Sequence, residues 1–456
     1  MSERRKVLSL FCEQKDYMNE RINDGIEKYR KGNAKIVVKD SSGAPVRNAK
    51  VCVKQTNHEF KFGANLFMLD EFETTEKNEK HNKAFADVFN MATLPFYWNA
   101  NEPEKGQKRY DKNSEKMYRR PTIDLCMEYC KENGIEPRAH CLNYDLMRPK
   151  WTDELSLEEY KKVLEERFKE LAERYSDDIP CWEVINETLC VPAPEKRSYF
   201  FYEPDLVEWS FKTAEKYFKN NEITINESNW QVFDKSYAFK YNRSAYYMLI
   251  ERALKNGAKI DAIGFQCHVC YKKEEEARLA TSPYYDPKFH YNLLDTYAQF
   301  GKPLQITEVT VPAFSNDPED EEIQAEVLKN LYSIWFSHPD MEQIVYWNLA
   351  DGYAFVSDPD PKKVKASMGD MTRGENIFYG GLFRFDMTPK PAYYALKNLI
   401  KNEWNTKEQL ITDNDGVANF KGFYGTYDVE VEVNGKIIKK QINLSKSGDK
   451  EFNIEV

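Results

Sequence analysis

Trp182-Glu-Val-Ile-Asn-Glu187 and Ile306-Thr-Glu-Val-Thr310 are the two stretches on which the reading of this chain turns. Each is a short, β-leaning run that arrives at a glutamate, Glu187 in the first and Glu308 in the second. A carboxylate carried to the end of a buried strand is costly, because burial penalises its charge. Two such ends, far apart in sequence, predict a pair that the fold brings face to face.

Outward from these stretches the chain alternates. Strand-like runs fall at 60–67, 89–98, 137–144, 181–187, 223–228, 262–269, 303–311 and 344–351, with helical stretches between them. One of the latter sets Leu157, Tyr160, Leu164, Phe168 and Leu171 along a single helix face. This repeat predicts an α/β fold, a (β/α)8 TIM barrel over 57–404. A doubly wound open sheet is the competitor. It usually carries a glycine-rich phosphate turn after its first strand, and Phe62-Gly-Ala-Asn-Leu-Phe67 is not one.

The two ends differ from the middle. Ile22, Ile26 and Tyr29 space a short helix over 21–31. Lys35–Lys39, the Ser41-Ser-Gly43 turn and Ala49–Lys54 read as a β-hairpin. At the other end, Tyr427–Val433 alternates, turns at Asn434-Gly435 and resumes at Lys436. Neither end buries a sheet face alone, so segments 1–56 and 405–456 are expected to pack together as an accessory β-sandwich.

Of 456 residues, 41% are hydrophobic and 31% charged, the balance of a globular protein. A formal net charge of −10 argues against nucleic-acid partners, which demand basic surface. No window approaches the ~18 unbroken apolar residues of a membrane span. The apolar stretch Val7–Cys12 is too short for a signal peptide, and no small-residue cleavage site follows it. Nine cysteines without framework spacing suit reduced thiols, so a cytoplasmic location is expected. The 29 tyrosines and 8 tryptophans are mostly core by expectation, yet such a surplus also suits a carbohydrate cleft, where flat rings pack on sugar faces.

Paired carboxylates are what glycoside hydrolysis requires, one to protonate the leaving oxygen and one to attack or to activate water. Cys267-His-Val-Cys270 has zinc-like spacing, but four ligands are needed and no second Cys or His pair lies nearby, so no metal is expected. The ordered motifs carry a resemblance. Arg138-Ala-His-Cys-Leu142 with Pro149-Lys-Trp151 is similar to R-G-H-x-L…P-x-W, and Trp182–Glu187 to W-D-V-V-N-E. Asp261–His268 resembles D-G-I-G-x-Q-x-H, Ile306–Glu308 resembles I-T-E, Trp347–Asp351 resembles W-G-x-x-D, and Lys390–Tyr393 matches K-P-A-Y. These are motifs of glycoside hydrolase family 10, the endo-β-1,4-xylanase family.

The resemblance implies a retaining hydrolase of β-1,4-xylosidic bonds in xylan or xylo-oligosaccharides, with no cofactor. It makes Glu187 the acid and base, Glu308 the nucleophile and Asn186 the donor to the sugar 2-hydroxyl. His268 would bond the nucleophile, Gln266 and His140 would lie close to the sugar, and Trp347 would be its platform. Trp98 and Phe355 are further substrate-contact candidates. Departures gather on the sugar side. Aligned on Trp98, Thr93, Leu94 and Tyr97 stand where the family has Glu, Asn and Lys. Tyr144-Asp145 replaces W-H, which makes Asp145 a candidate for a hydroxyl contact. Thr310 replaces the aspartate of E-x-D, and Asn226-Glu227 replaces N-D. A decorated xylan fragment, another plant β-glycoside, or a non-catalytic carbohydrate-binding barrel are the alternatives.

Overall fold

The computed structural model describes residues 4–190, 196–233, 241–358 and 361–456. Two strands, β1 (Lys31–Lys39) and β2 (Lys50–His58), precede the barrel. Its strands are β3 (Lys61–Asn65), β4 (Met91–Pro95), β5 (Glu136–His140), β6 (Cys181–Asn186), β7 (Glu222–Glu227), β8 (Ala262–Gln266), β9 (Leu304–Val309) and β10 (Met341–Tyr346). They close in the order β10-β3-β4-β5-β6-β7-β8-β9, every neighbouring pair parallel. Helices cover the outside, so β4, β6, β8 and β9 are buried at every position. The chemistry of such a barrel sits at the C-terminal ends of its strands, and Glu187, the residue after β6, and Glu308 on β9 lie there. The helices between are capped in ordinary ways: Ser156 and Glu159 form a reciprocal capping box at the start of Leu157–Tyr175.

After the barrel come β11 (Lys407–Ile411), β12 (Val417–Phe423), β13 (Gly425–Val433), β14 (Lys436–Leu444) and β15 (Glu451–Glu455). Two sheets, β12-β1-β15 and β11-β2-β13-β14, share a core of Ile36, Val38, Val51, Val53, Tyr427, Val429 and Leu444 among others. β13 and β14 form the expected hairpin, with Asn434 and Gly435 both at positive φ in the turn. The hairpin expected over 35–54 does not form. The Asp40–Gly43 turn is present, its Asp40 carboxylate accepting from Ser42 and Ala44, but only the Lys39–Pro45 bridge follows it. The chain then crosses to the other sheet, placing β1 and β2 on opposite layers. Period-2 patterning is identical for both outcomes.

The N-terminal helix is longer and earlier than expected, Lys15–Tyr29, and packs on the barrel helix Pro318–Ser337. Arg30, just beyond it, donates to the carbonyls of Phe336, His338 and Met341. Trp404 stacks on Phe336 and Phe62, sealing the end of the barrel opposite the carboxylates. No helix among the described residues is long and apolar enough to cross a membrane.

The helix contact is tight at Gly25, where a Cβ would lie 2.2 Å from the Ser337 carbonyl oxygen. Helix preference alone would make Gly25→Ala stabilising by about 1 kcal/mol. The contact predicts the opposite sign, a loss of about 1–3 kcal/mol from overpacking. Urea denaturation reads that sign directly, and a stabilised variant would refute the packing.

Candidate active site

A chain of side-chain amides connects the two carboxylates. Asn226 Nδ2, at the end of β7, donates to Glu308 Oε1 at 3.2 Å and to Asn186 Oδ1 at 3.0 Å. Gln266 Nε2, at the end of β8, donates to the same Asn186 Oδ1 at 3.2 Å and to Glu187 Oε1 at 2.9 Å. Thr307 fixes the sense of the chain by donating to Asn226 Oδ1 at 2.6 Å, which obliges the amide nitrogen to face the carboxylate. With both donors on its Oδ1, Asn186 is left with Nδ2 to offer outward. The expectation that Asn186 is a hydroxyl donor rests on that nitrogen.

Glu187 departs from the strand at φ 54°, a left-handed conformation unusual outside glycine. The turn after it is held by the buried Glu227, whose carboxylate accepts from Thr188 Oγ1, Leu189 N and Ser228 N. Burial pushes the Glu227 carboxyl up to about 7 against those bonds. Tyr144 donates to Glu187 Oε2 at 2.6 Å, so each oxygen of Glu187 has one donor.

Glu308 is more enclosed. His268 Nε2 lies 3.1 Å from its Oε2, and Nδ1 of the same ring lies 3.1 Å from Thr310 Oγ1. Thr310 in turn donates to the Trp347 carbonyl at 3.2 Å. Thr310 thus orients His268 where the family motif has aspartate, and it does so without charge. Burial pushes the Glu308 carboxyl well above its ordinary range, opposed by His140 and reinforced by the negative Glu183 and Glu187. Desolvation also lowers the His268 pKa.

Beneath the pair lies a buried ion cluster. Arg138 Nη2 bonds Glu183 Oε2 at 2.8 Å, and His140 Nδ1 lies 2.9 Å from Glu183 Oε1. Burial disfavours charge on His140, yet Glu183 outweighs it and raises the ring's pKa. The far nitrogen of His140 lies 3.0 Å from the Tyr97 hydroxyl. Glu183, His140 and Cys141 are the one group of described residues with ligand-type atoms close enough for a metal. Arg138 already neutralises that carboxylate, so the arrangement is an ion pair rather than a cation cage. Cys267 points into the core while His268 turns to Glu308, which separates the residues of the zinc-like spacing.

Glu187, Glu308, Asn186, Gln266, His268 and His140 therefore assemble at one end of the barrel. Trp347 joins them with its ring near those of His140, His268 and Phe67. Two candidates, Trp98 and Asp145, fall elsewhere, while Phe355 stands on the loop that follows β10 at the same end of the barrel. Trp98 is core: its Nε1 donates to Glu102 at 3.0 Å, and its ring packs on Trp151 and Tyr160. Asp145 accepts from Ser198 N and Oγ and sits 3.9 Å from Arg197, tying down a loop instead of facing the pair. Phe355 is half-buried on the loop after β10, and its carbonyl accepts from Glu375 N. The matched residues Asp351 and Lys390 form a buried ion pair at 2.5 Å that pins the same loop region. Sequence reasoning missed Tyr144, Asn226 and Thr310 as partners of the pair. Tyr144 and Thr310 stood at recognised departures from the motifs and Asn226 at the matched asparagine of N-D, which was the available signal.

Comparison with known proteins places this geometry. Residues 54–399 match the sequence profile of glycosyl hydrolase family 10. The chain is 27% identical over 435 residues to the anti-sigma-I factor RsgI6 of Acetivibrio thermocellus, covering 92% of itself and 47% of that protein. It is 23% identical over 335 residues to endo-1,4-beta-xylanase B of Thermotoga neapolitana, covering 71% of itself and 84% of the relative. The chain thus spans about half of the first relative and most of the second. Native xylanase 10B from Thermotoga maritima shares the fold with a TM-score of 0.55 at 21% identity, over 76% of this chain and 96% of that one. Xylanase 10B from Thermotoga petrophila, solved with xylobiose, gives a TM-score of 0.55 at 21% identity, over 76% and 95%.

The uncharged support of His268 makes a prediction. Thr310→Asp places an opposite charge against the ring and is expected to raise its pKa. Thr310→Val removes the acceptor from the imidazolium and lowers it. With six histidines in the chain, an NMR titration resolves the ring directly. An unmoved His268 in both variants would disprove the contact.

Proposed function

Because the chain belongs to glycosyl hydrolase family 10, we propose that it is a retaining glycosidase that cuts β-1,4-xylosidic bonds in xylan or xylo-oligosaccharides. The observation that carries this reading is the amide chain holding two carboxylates, each with its own donors, at the catalytic end of a barrel. A binding module has no need of both.

The donors assign roles. Gln266 can only donate to Glu187 Oε1, whereas the Tyr144 hydroxyl can donate or accept. A proton on Glu187 therefore belongs on Oε2, where Tyr144 tolerates both states. Glu308 attacks the anomeric carbon as the glycosidic bond breaks, and the leaving oxygen takes the Glu187 proton. Glu187, now a carboxylate, draws a proton from water that attacks the same carbon and releases Glu308. Asn226 and the imidazole of His268 face the nucleophile's two oxygens. The outward Asn186 nitrogen is placed for a sugar hydroxyl beside the reacting carbon.

Removing either carboxylate tests the assignment. Glu308→Ala is expected to abolish turnover, with partial rescue by azide and formation of the α-glycosyl azide. Glu187→Ala is expected to lose about 10²–10⁴-fold on substrates with poor leaving groups and much less on activated aryl glycosides. The first product anomer seen by NMR should be β. Absence of turnover on any β-glycan, with sugar binding kept by wild type and Glu308→Ala alike, would replace the enzyme reading with a binding barrel.

The pH profile follows from Glu308. Its carboxyl is raised and must be charged to attack, so activity is lost as pH falls through that raised value. The acidic limb of kcat/KM is therefore expected above the ordinary glutamate value of 4.5. Glu183→Gln removes a negative neighbour but also the partner that keeps His140 charged, and because His140 acts on Glu308 more strongly than Glu183 does, the limb should move up. A limb at or below the ordinary value in the wild type would contradict the burial argument.

A further inference from the structure

Past Tyr97, on the wall where the family carries its lysine, stands a cation the mechanism does not use. Met117 and Arg120 close a tight turn with Arg119 at φ 60° between them. The Arg120 guanidinium lies 4.0 Å from the centroid of the Tyr97 ring and 5.4 Å from that of Phe67. Tyr97 reaches His140, and Phe67 packs on Trp347, so Arg120 is one ring away from the groups around the carboxylate pair.

Among the described residues Arg120 has no anion in reach and only one hydrogen bond. Nη1 donates to the Arg119 carbonyl at 2.8 Å, and no other protein acceptor meets the side chain among the described residues. One full edge of the fork, Nε with Nη2, is thereby uncommitted. Its electrostatic neighbours are Tyr97, Arg119 and Tyr144, with no carboxylate among them. Burial, with the Arg119 charge adding to it, pulls the Arg120 pKa down to about 10, so the group stays charged at neutral pH. Arg119 beside it is 4% exposed and donates to the Tyr353 carbonyl and, at 3.0 Å, to Asn348 Oδ1, while its Nε has no partner.

Some other buried guanidiniums here are answered by carboxylates and some by carbonyls alone. Arg138 has Glu183, Arg4 has Glu276 and Asp320, and Arg30 has three carbonyls. Two adjacent cations without a counter-charge, in a chain of net charge −10, are costly unless something anionic completes them. The guanidinium fork fits a carboxylate edge in two parallel hydrogen bonds.

We propose that Arg120, backed by Arg119, recognises the carboxylate of an acidic sugar, a uronic acid carried on the glycone side of the bond that is cut. This rests on the glycosidase reading for the meaning of the glycone side, and it names the substrate class of that site. The altered wall agrees with it. Thr93 and Leu94 remove one acidic and one amide group, and Tyr97 in place of lysine supplies the ring on which Arg120 lies.

Calorimetric binding to the Glu308→Gln protein tests the proposal without depending on turnover. The probes are a xylo-oligosaccharide bearing glucuronic acid and the same oligosaccharide with its carboxyl reduced to the alcohol. The acid is expected to bind about 10-fold or more tightly, the scale of a charge-assisted pair of hydrogen bonds. That preference should vanish in Arg120→Met and shrink in Arg120→Lys, which keeps the charge but loses the fork. An aryl β-glucuronide distinguishes a uronic acid that is itself the glycone from one borne as a branch, and binding of either supports the proposal. Equal binding of acid and alcohol, an unchanged preference in Arg120→Met, or no binding of any probe overturns it. If the preference holds but wild type hydrolyses none of these compounds, only the glycosidase reading falls.

Discussion

Everything at the catalytic end depends on how a barrel interior holds two carboxylates without water. Burying an isolated carboxylate costs several kcal/mol, and the cost falls only when donors replace the lost hydration. Here the donors are amides fixed at both ends. Thr307 orients Asn226, Asn226 and Gln266 both address Asn186, and the two outer amides reach Glu308 and Glu187. These residues come from β6, β7, β8 and β9, so the strand order of the barrel is what makes the chain of bonds continuous. Shift one strand by one residue and its polar side chain turns outward.

The ion cluster beneath sets the electrical balance. Arg138 and His140 bring positive charge, Glu183 brings negative, and Glu308 feels both. Glu183 therefore does two opposed things: it holds the positive groups that favour a charged nucleophile, and it repels that charge itself. Thr310 removes a further negative group from this balance. With aspartate there, His268 would be drawn toward its cationic form; with a hydroxyl, burial prevails and the ring's pKa falls. The nucleophile's neighbour is thus closer to neutral, which leaves Glu308 more dependent on Asn226.

Some of this was legible in the chain. Glu187 and Glu308 stood out because an acid ending a buried apolar run has few inexpensive explanations, and the barrel followed from strand and helix spacing around them. Gln266, which ends β8, and His268, two residues on, were assigned one face by alternation, and they do reach the pair. Trp98 and Asp145 were misplaced for a common reason. Sequence position fixes where a backbone goes, not which neighbour claims the side chain: Glu102 claims Trp98, and Ser198 with Arg197 claims Asp145. The failed hairpin is of the same kind. Both strands and the Ser41–Gly43 turn were read, but partners contributed from 407–455 outcompete the local pairing.

The sugar-facing wall was the least legible part, because its departures act through one another. Leu94 and Tyr97 look like simple losses of polarity when each is compared with the residue it replaces. In the fold, the Tyr97 hydroxyl meets His140 while its ring carries Arg120, so the cation given up just past β4 returns from the Met117–Arg120 turn. A lysine on a strand is a compact point charge suited to hydroxyls, whereas a guanidinium lying flat on a ring presents a rigid, directional edge. Moving the charge thus changes what it can recognise without disturbing the carboxylates, whose partners are Asn226 on β7, Gln266 on β8, His268 just past β8, and Tyr144. That separation is what lets one barrel keep its carboxylate pair while the wall beside it is rebuilt.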